Sequence, residues 1–434
     1  MPYPPKTLFE HEKKQNTGIK EEQLTDNDKK ILEQLDAENK ISVSTSMGPD
    51  HFLQFTTNSF IGSMNLEGPD VRINILPKIF RDDDQKWKNL YLFLDYCTSD
   101  TFDYIDDAKN FYEGTSEPTL LNRLHIQLIL EYENLLKQGL LKSYVIHAEN
   151  TSSMRGKLLM QHQMLNDAMW RPQFFCEFDE LEYDSIENRI ILQALTIVER
   201  TSDNPYVRMK SMDLAQQLSG SVTKTTVHKP ERQRMMQSYN RQNLRYERIH
   251  SICEKVIEES GIKDIYSGDH SYVAPVFYDM NELFEIFVQK LFQKFEGELY
   301  DRVEVQYGEV AWKGDGNLGP RKMRPDITIW RGGECEEIID VKYKTKNITT
   351  GDLYQIGFYM HEFGKENPNE KEINYAFAIT PEFGDAKSGT YESTKTKKKV
   401  FVKRINVERC LELLKTQNDQ DLKKEVADWI KPLD

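Results

Sequence analysis

Two alternating stretches joined by a glycine pair constrain this chain more than anything else in it. Arg324-Pro325-Asp326-Ile327-Thr328-Ile329-Trp330 alternates as a strand, Arg331-Gly332-Gly333 reads as a turn, and Glu337-Ile338-Ile339-Asp340-Val341-Lys342-Tyr343 reads as the next strand. Period-two geometry puts Asp340 and Lys342 on one face and Ile339 and Val341 on the other. A hairpin partner brings Asp326 beside them.

Two carboxylates and an ammonium held this way suit phosphodiester hydrolysis. That reaction needs a hard cation to hold a phosphate oxygen and a water, and Mg²⁺ prefers one or two carboxylates with several waters. Asp326 and Asp340 are the expected ligands, the Val341 carbonyl a third, and Lys342 the group that orients the water and offsets phosphate charge. Mn²⁺ would serve similarly. An Asp-x-Lys triplet alone means little in a chain with 29% charged residues, because such triplets usually lie on solvated strand faces. The weight comes from the second Asp, behind a proline and 14 residues upstream, and from a following helix with Gln355 and Tyr359 one turn apart. Gln355 is therefore a supporting candidate.

Upstream, Met280 to Phe295 is patterned as an amphipathic helix with Leu283, Phe284, Phe287, Val288, Leu291 and Phe292 on its core face. Glu285 lies near that stripe, and both readings stay open for it: ordinary helix solvation, or a carboxylate aimed at the metal.

The rest of the chain reads as mixed. A helix is expected within residues 21–40, with Thr25, Asp26 or Asn27 as its cap. Short strands follow at Ile41–Ser44, His51–Phe55 and Val71–Leu76, then helices at Trp87–Cys97 and Leu120–Lys142, a strand at Tyr144–Ala148 and a helix at Ser185–Arg200. The segment 204–248 is polar and reads as helix with loops. The last 165 or so residues alternate helices and strands, giving an α/β class that is α+β overall. We expect an N-terminal extension over 1–40, a β-rich and helical region over 41–264, and a C-terminal domain over 265–434.

Fifty-seven basic against 71 acidic residues give a net charge of −14, which repels DNA unless positive charge is gathered locally or another subunit holds the duplex. Five scattered cysteines without a CxxC pair suggest neither a disulfide framework nor a zinc site, and none of the nine histidines has a ligand spacing such as HxH. No signal peptide and no run of 18 apolar residues is present, so a cytoplasmic protein that does not enter a membrane is expected. Gly314 to Gly319 is no nucleotide loop, since no Gly-Lys-Ser/Thr follows.

Taken together, the residues resemble the McrC subunits of modification-dependent McrBC restriction systems. The matching pieces are Asp279-Met280-Asn281-Glu282-Leu283-Phe284-Glu285, Arg324-Pro325-Asp326, Asp340-Val341-Lys342-Tyr343-Lys344 and Asp352-Leu353-Tyr354-Gln355, in that order. Upstream, Ile75-Leu76-Pro77-Lys78, Met154-Arg155-Gly156-Lys157-Leu158 and Phe178 to Arg189, with Asp184, Asn188 and Arg189, are similar to the family's N-terminal half.

The resemblance implies a C-terminal PD-(D/E)xK restriction-endonuclease-like domain and a subunit that cleaves double-stranded DNA. It further implies a hexameric AAA+ GTPase partner of the McrB type, which reads the DNA and binds the GTP. The N-terminal half would enter that ring as a stalk and stimulate GTP hydrolysis, with Arg155 and Lys157 as candidates for touching it. Lys344, and Lys397 and Lys398 in the Lys-rich segment 395–399, are candidates for DNA phosphates. Two other readings use the same residues: a non-catalytic adaptor that binds DNA and activates the GTPase, and a stand-alone resolvase or transposase-type nuclease. Which DNA is targeted is not legible.

Overall fold

The computed structural model describes residues 5–46, 51–81, 86–98, 120–202, 204–259, 276–313, 319, 321–363, 372–384 and 386–433. The boundary expected at 264/265 lies outside them. The chain forms two compact units: one from residues 104–276 with the first two residues, the other from residues 3–103 together with 277–434. This differs from the contiguous division expected from sequence. Residues 3–103, with most of the expected 1–40 extension, group with the C-terminal part, through strand pairing between segments distant in sequence that no local pattern reveals.

Strands β1 (Pro5–Phe9) and β2 (Gln15–Lys20) precede α1 (Asp26–Ala37). Thr25 caps α1 by accepting the Asp28 N–H, while Asp28 accepts the Thr25 N–H, so two otherwise orphaned donors are satisfied reciprocally. Four strands follow: β3 (Ile41–Thr45), β4 (Phe52–Thr57), β5 (Phe60–Leu66) and β6 (Val71–Leu76). The β5 segment is buried almost throughout, so it lacks the alternation that marks its neighbours in the sequence. β4 sits between β2 and β3, and β6 between β1 and β5. Helix α2 (Lys86–Thr98) ends this part.

In the intervening unit, α3 (Leu120–Gln138) is followed by β7 (Ser143–Thr151), β8 (Lys157–Leu158), α4 (Met160–Ala168) and β9 (Phe174–Glu182). Then come four helices: α5 (Ile186–Thr201), α6 (Pro205–Ser219), α7 (Lys229–Met236) and α8 (Glu247–Glu259). Leu128, Ile191, Leu195, Val198, Tyr246 and Val256 belong to one helical core. Tyr246 locks it: its hydroxyl accepts the Leu141 N–H at 2.6 Å and donates to Asn188 Oδ1 at 2.9 Å. Asp184 accepts both guanidinium hydrogen bonds of Arg189, at 2.7 and 2.8 Å, and two from Thr223. Those bonds hold the Asp184 carboxyl far below the usual range despite its partial burial. Asp184, Asn188 and Arg189 thus act as scaffold.

By contrast, β7, β9 and α4, with the turn after α4, expose several large apolar side chains, although Cys176 and Phe178 of β9 are buried. Tyr144, Ile146, Met164 and Trp170 are 76, 68, 64 and 93% accessible. Gly156, at φ +64°, makes the turn into β8; a Cβ there would lie 2.3 Å from the Glu177 carbonyl oxygen. Gly156→Ala is expected to destabilise this module by roughly 1 kcal/mol or more. Amide exchange at Leu159, whose N–H bonds the Phe175 carbonyl at 2.9 Å, should speed up accordingly.

After β10 (Val276–Asp279) and α9 (Met280–Lys294), a six-stranded sheet is assembled from β11 (Arg302–Val305), β14 (Ile327–Arg331), β15 (Glu334–Val341), β16 (Tyr375–Pro381), β17 (Gly389–Glu392) and β18 (Lys399–Ile405). Its order is β11-β14-β15-β16-β18-β17, while β12 (Glu309–Trp312) and β13 (Arg321–Met323) pair apart from it. Helices α10 (Thr350–Glu362), α11 (Val407–Lys415) and α12 (Asp419–Trp429) complete the unit. β15 runs antiparallel to β14 and parallel to β16. Residues 337–341 are buried in succession, on both faces of the sheet, which is the usual state of a parallel-type strand. Ile338 packs with Ile356, Tyr359 and Met360 of α10.

Glu10, just after β1, is fully buried and accepts hydrogen bonds from the Tyr343 hydroxyl and, at 3.0 Å, from the Lys78 N–H. Burial raises its carboxyl from 4.5 to about 8, against the lowering effect of those bonds. Between these values the native chain keeps a proton that the unfolded chain has lost, so this group's contribution to stability falls as pH rises from about 4.5 to about 8. Thermal melts of Glu10→Gln over that range are expected to show a shallower pH dependence than the parent.

Candidate metal-dependent active site

The expected hairpin is present. Ile327 pairs with Ile339 and Thr328 with Ile338, a register that sets Asp326 opposite Asp340 just beyond the last pair. A bulge follows between Ile329 and Trp330, and Gly332 and Gly333 close the turn at φ +62° and +86°. Two successive positive φ values are what a tight hairpin turn of the primed type requires, and glycine accepts them without a Cβ penalty.

Asp326, Asp340 and Lys342 are brought together at the far end of that hairpin. Asp326 Oδ2 accepts the Val341 N–H at 2.7 Å and lies 3.8 Å from Lys342 Nζ. Lys342 Nζ donates to Asp340 Oδ1 at 3.0 Å and sits 2.9 Å from its Oδ2. Asp340 is fully buried, and its two oxygens share the Lys342 ammonium. The Val341 N–H faces Asp326, and in an extended strand the carbonyl of the same residue points to the same side.

Burial raises the carboxyls of Asp326 and Asp340 above the usual range; each also feels Glu285, and Asp326 feels Asp340, while Lys342 opposes the shift in both. Lys342 is held above the ordinary lysine value although burial pulls it down, because Asp340 and Asp326 outweigh that desolvation. One buried and one partly buried carboxylate sharing a single ammonium form a donor set that fits a divalent cation with oxygen preference.

Glu285 faces this cluster and is itself held in place. Its Oε1 accepts from Gln289 Nε2 at 2.8 Å and from Gln306 Nε2 at 2.7 Å. Sequence reasoning missed Gln306, which joins three parts of the site. Its N–H bonds the Asp326 carbonyl at 3.0 Å, its side chain holds Glu285, and its carbonyl accepts from Arg324 Nε at 3.1 Å. Its φ of +51° is the one local peculiarity, and nothing in the neighbouring residues signals it. Gln355 goes elsewhere: it donates to the Tyr359 hydroxyl at 2.8 Å, which in turn donates to the Arg324 carbonyl at 3.2 Å. Its link to the carboxylates is thus through the backbone next to Asp326.

The lysines expected to meet phosphate have protein partners. Lys344 is paired with Asp352, Lys397 with Glu392 at 3.1 Å, and Lys398 with Glu372 at 3.2 Å and the Met360 carbonyl at 2.9 Å. Lys398 keeps only 11% of its side chain accessible. In the other unit, exposed Arg155 lies over the Phe178 ring at 4.2 Å and 3.2 Å from Glu180; Lys157 is 3.7 Å from Glu177. On the same sheet face His147, Glu180 and Glu182 place possible ligand atoms within 4.8 Å of one another, a grouping across β7 and β9 that no linear spacing displays. His147 Nε2 lies 2.8 Å from Glu182 Oε1.

A mixed α/β chain with acidic residues and a lysine gathered at a hairpin end defines a class, and comparison with known proteins supplies the family. Residues 55–369 match the McrBC 5-methylcytosine restriction system component, and the chain belongs to that family. No curated protein matches it.

Among solved structures it is similar in fold to a chain of the refined half-complex from a tetradecameric assembly of Thermococcus gammatolerans McrB AAA+ hexamers with bound McrC. That likeness has a TM-score of 0.66 at 16% identity and covers 94% of this chain and 100% of the other. A looser likeness, TM-score 0.48 at 21% identity over 67% of this chain and 87% of the other, is to the Thermococcus gammatolerans McrBC complex solved by cryo-EM. Among the described residues no helix is long and apolar enough to cross a membrane.

Proposed function

We propose that this chain is the nuclease subunit of a McrBC-type system, with a PD-(D/E)xK centre at Asp326, Asp340 and Lys342 that hydrolyses phosphodiester bonds of double-stranded DNA. The convergence of these three side chains, with the Lys342 ammonium 2.9 Å from Asp340 and 3.8 Å from Asp326, carries the reading. Asp326, Asp340 and the Val341 carbonyl would hold Mg²⁺, which when bound supplies a Lewis acid for the phosphate and a more acidic water. Lys342 offsets phosphate charge and orients the water through its ammonium. Glu285, fixed by Gln289 and Gln306, adds negative charge that favours a cation over a second lysine.

The partner in this reading is an AAA+ GTPase of the McrB type, as in the Thermococcus gammatolerans assembly. Support comes from the exposed apolar side chains of β7, β9 and α4, which are large for a solvated surface and are rimmed by Arg155 and Lys157. The chain would act as a docked subunit, with GTP bound by the ring and not by this polypeptide. Plasmid DNA incubated with this chain, a McrB-type ring, GTP and Mg²⁺ is expected to be cut, and Ca²⁺ is not expected to replace Mg²⁺. Absence of nicking in Mg²⁺ while GTP hydrolysis is stimulated would instead fit the adaptor reading.

A further inference from the structure

A two-stranded ribbon leads directly into the carboxylate cluster. β12 and β13 pair with Val310 opposite Lys322 and Trp312 opposite Arg321, and they stand outside the six-stranded sheet. β13 ends at Met323, three residues before Asp326, so the ribbon's end lies within about 11 Å of that carboxylate along the chain. Lys313, Arg321, Lys322 and Arg324 are all exposed.

Unlike the basic residues nearer the sheet, Lys313, Arg321 and Lys322 have no acidic partner among the described residues. Arg331, Lys344 and Lys398 are all paired. In a chain of net charge −14, a segment from 309 to 324 with four basic residues against Glu309 and Asp315 is a local reversal of sign. Beside it, the Trp312 indole is 62% accessible and stacked on Phe358 at 5.9 Å, and Tyr354 is 76% accessible one turn earlier on α10. Aromatic area left open next to unpaired cations suits a polyanion whose sugar and base edges offer apolar surface.

We propose that the β12–β13 ribbon, with Trp312 and Tyr354 beside it, is the surface by which this chain grips duplex DNA next to the hairpin carboxylates, an inference that rests on the nuclease reading above. A two-stranded ribbon fits the roughly 12 Å major groove. Lys313, Arg321 and Lys322 contact phosphates, releasing counterions, and Trp312 packs against sugar and base edges. The ribbon explains how an acidic chain holds its substrate locally, which Lys344, Lys397 and Lys398 cannot do while paired.

The test is fluorescence anisotropy of a labelled duplex titrated with the full chain in Ca²⁺ at several salt concentrations. The triple variant Lys313→Gln, Arg321→Gln, Lys322→Gln is expected to bind at least about tenfold more weakly, with a log Kd against log salt slope reduced by about 3. Trp312→Ala should weaken binding a few-fold, and both variants should stimulate the ring's GTPase as the parent does. Equal affinity and slope in parent and triple variant, or no salt-dependent binding by the parent, would overturn the proposal. So would loss of GTPase stimulation, which would assign the surface to the protein partner. Cleavage in Mg²⁺ separates this from the nuclease reading: a parent chain that binds the duplex with the expected salt slope in Ca²⁺ but, with the ring and GTP, leaves it uncut in Mg²⁺ would count against the centre and not against the ribbon.

Discussion

Asp340→Ala is expected to lower plasmid cleavage by at least about a thousandfold, with GTPase stimulation and the folded state retained. The size follows from charge stabilisation by a bound cation worth several kcal/mol, at 1.36 kcal/mol per tenfold. Asp340 is fully buried and its carboxyl is pushed up by burial, so the fold gains little from its ionised form. Lys342 would keep Asp326, 3.8 Å away, as a counter-charge. Cleavage assays paired with a thermal melt distinguish this outcome from unfolding. A Glu285→Gln variant offers a graded companion, because its Oε1 bonds to Gln289 and Gln306 survive in the amide while its charge does not.

The second large effect is expected at the opposite kind of residue. Trp170 is 93% accessible and takes φ +53°, a conformation that bulky side chains rarely adopt. An indole held out in solvent on a constrained backbone is suited to anchor a protein interface. Trp170→Ala should weaken binding to the ring partner by about 2 kcal/mol or more, roughly 30-fold, and reduce GTPase stimulation at limiting concentration to the same degree. Stability should hardly change, since little area is buried by this side chain. Titration of the ring's GTP hydrolysis with parent and variant measures the shift directly, and an unchanged midpoint would remove this residue from the interface.

The hairpin was legible because each of its parts has a local cause. Two glycines close the turn, alternation sets the faces, and residues 14 apart on adjoining strands fall opposite one another. Helices with strong stripes or caps, such as α1 behind Thr25 and α5 behind Ser185, were legible for the same reason. What escaped was non-local. β1 pairs with β6, across more than 60 residues, and brings Glu10 to Tyr343, which no window of sequence contains. β9 alternates only weakly in burial, and its apolar residues lie partly in solvent. Gln306 looks like any polar residue until its N–H, carbonyl and amide are seen to join Asp326, Arg324 and Glu285. The lysines tell the converse story: composition marks them as cationic, but only the fold reveals that Lys344 and Lys398 already have carboxylate partners while Lys322 has none among the described residues.

If Asp326 and Asp340 bind a divalent cation, the ion will be visible at the hairpin end. Crystals of the full chain soaked in Mn²⁺ would locate it through its anomalous signal. One peak bound by the carboxylates of both Asp326 and Asp340 is expected, lost in Asp340→Ala crystals. A chain that cuts DNA in Mn²⁺ yet shows its ion elsewhere, with these two carboxylates uncoordinated, would contradict it.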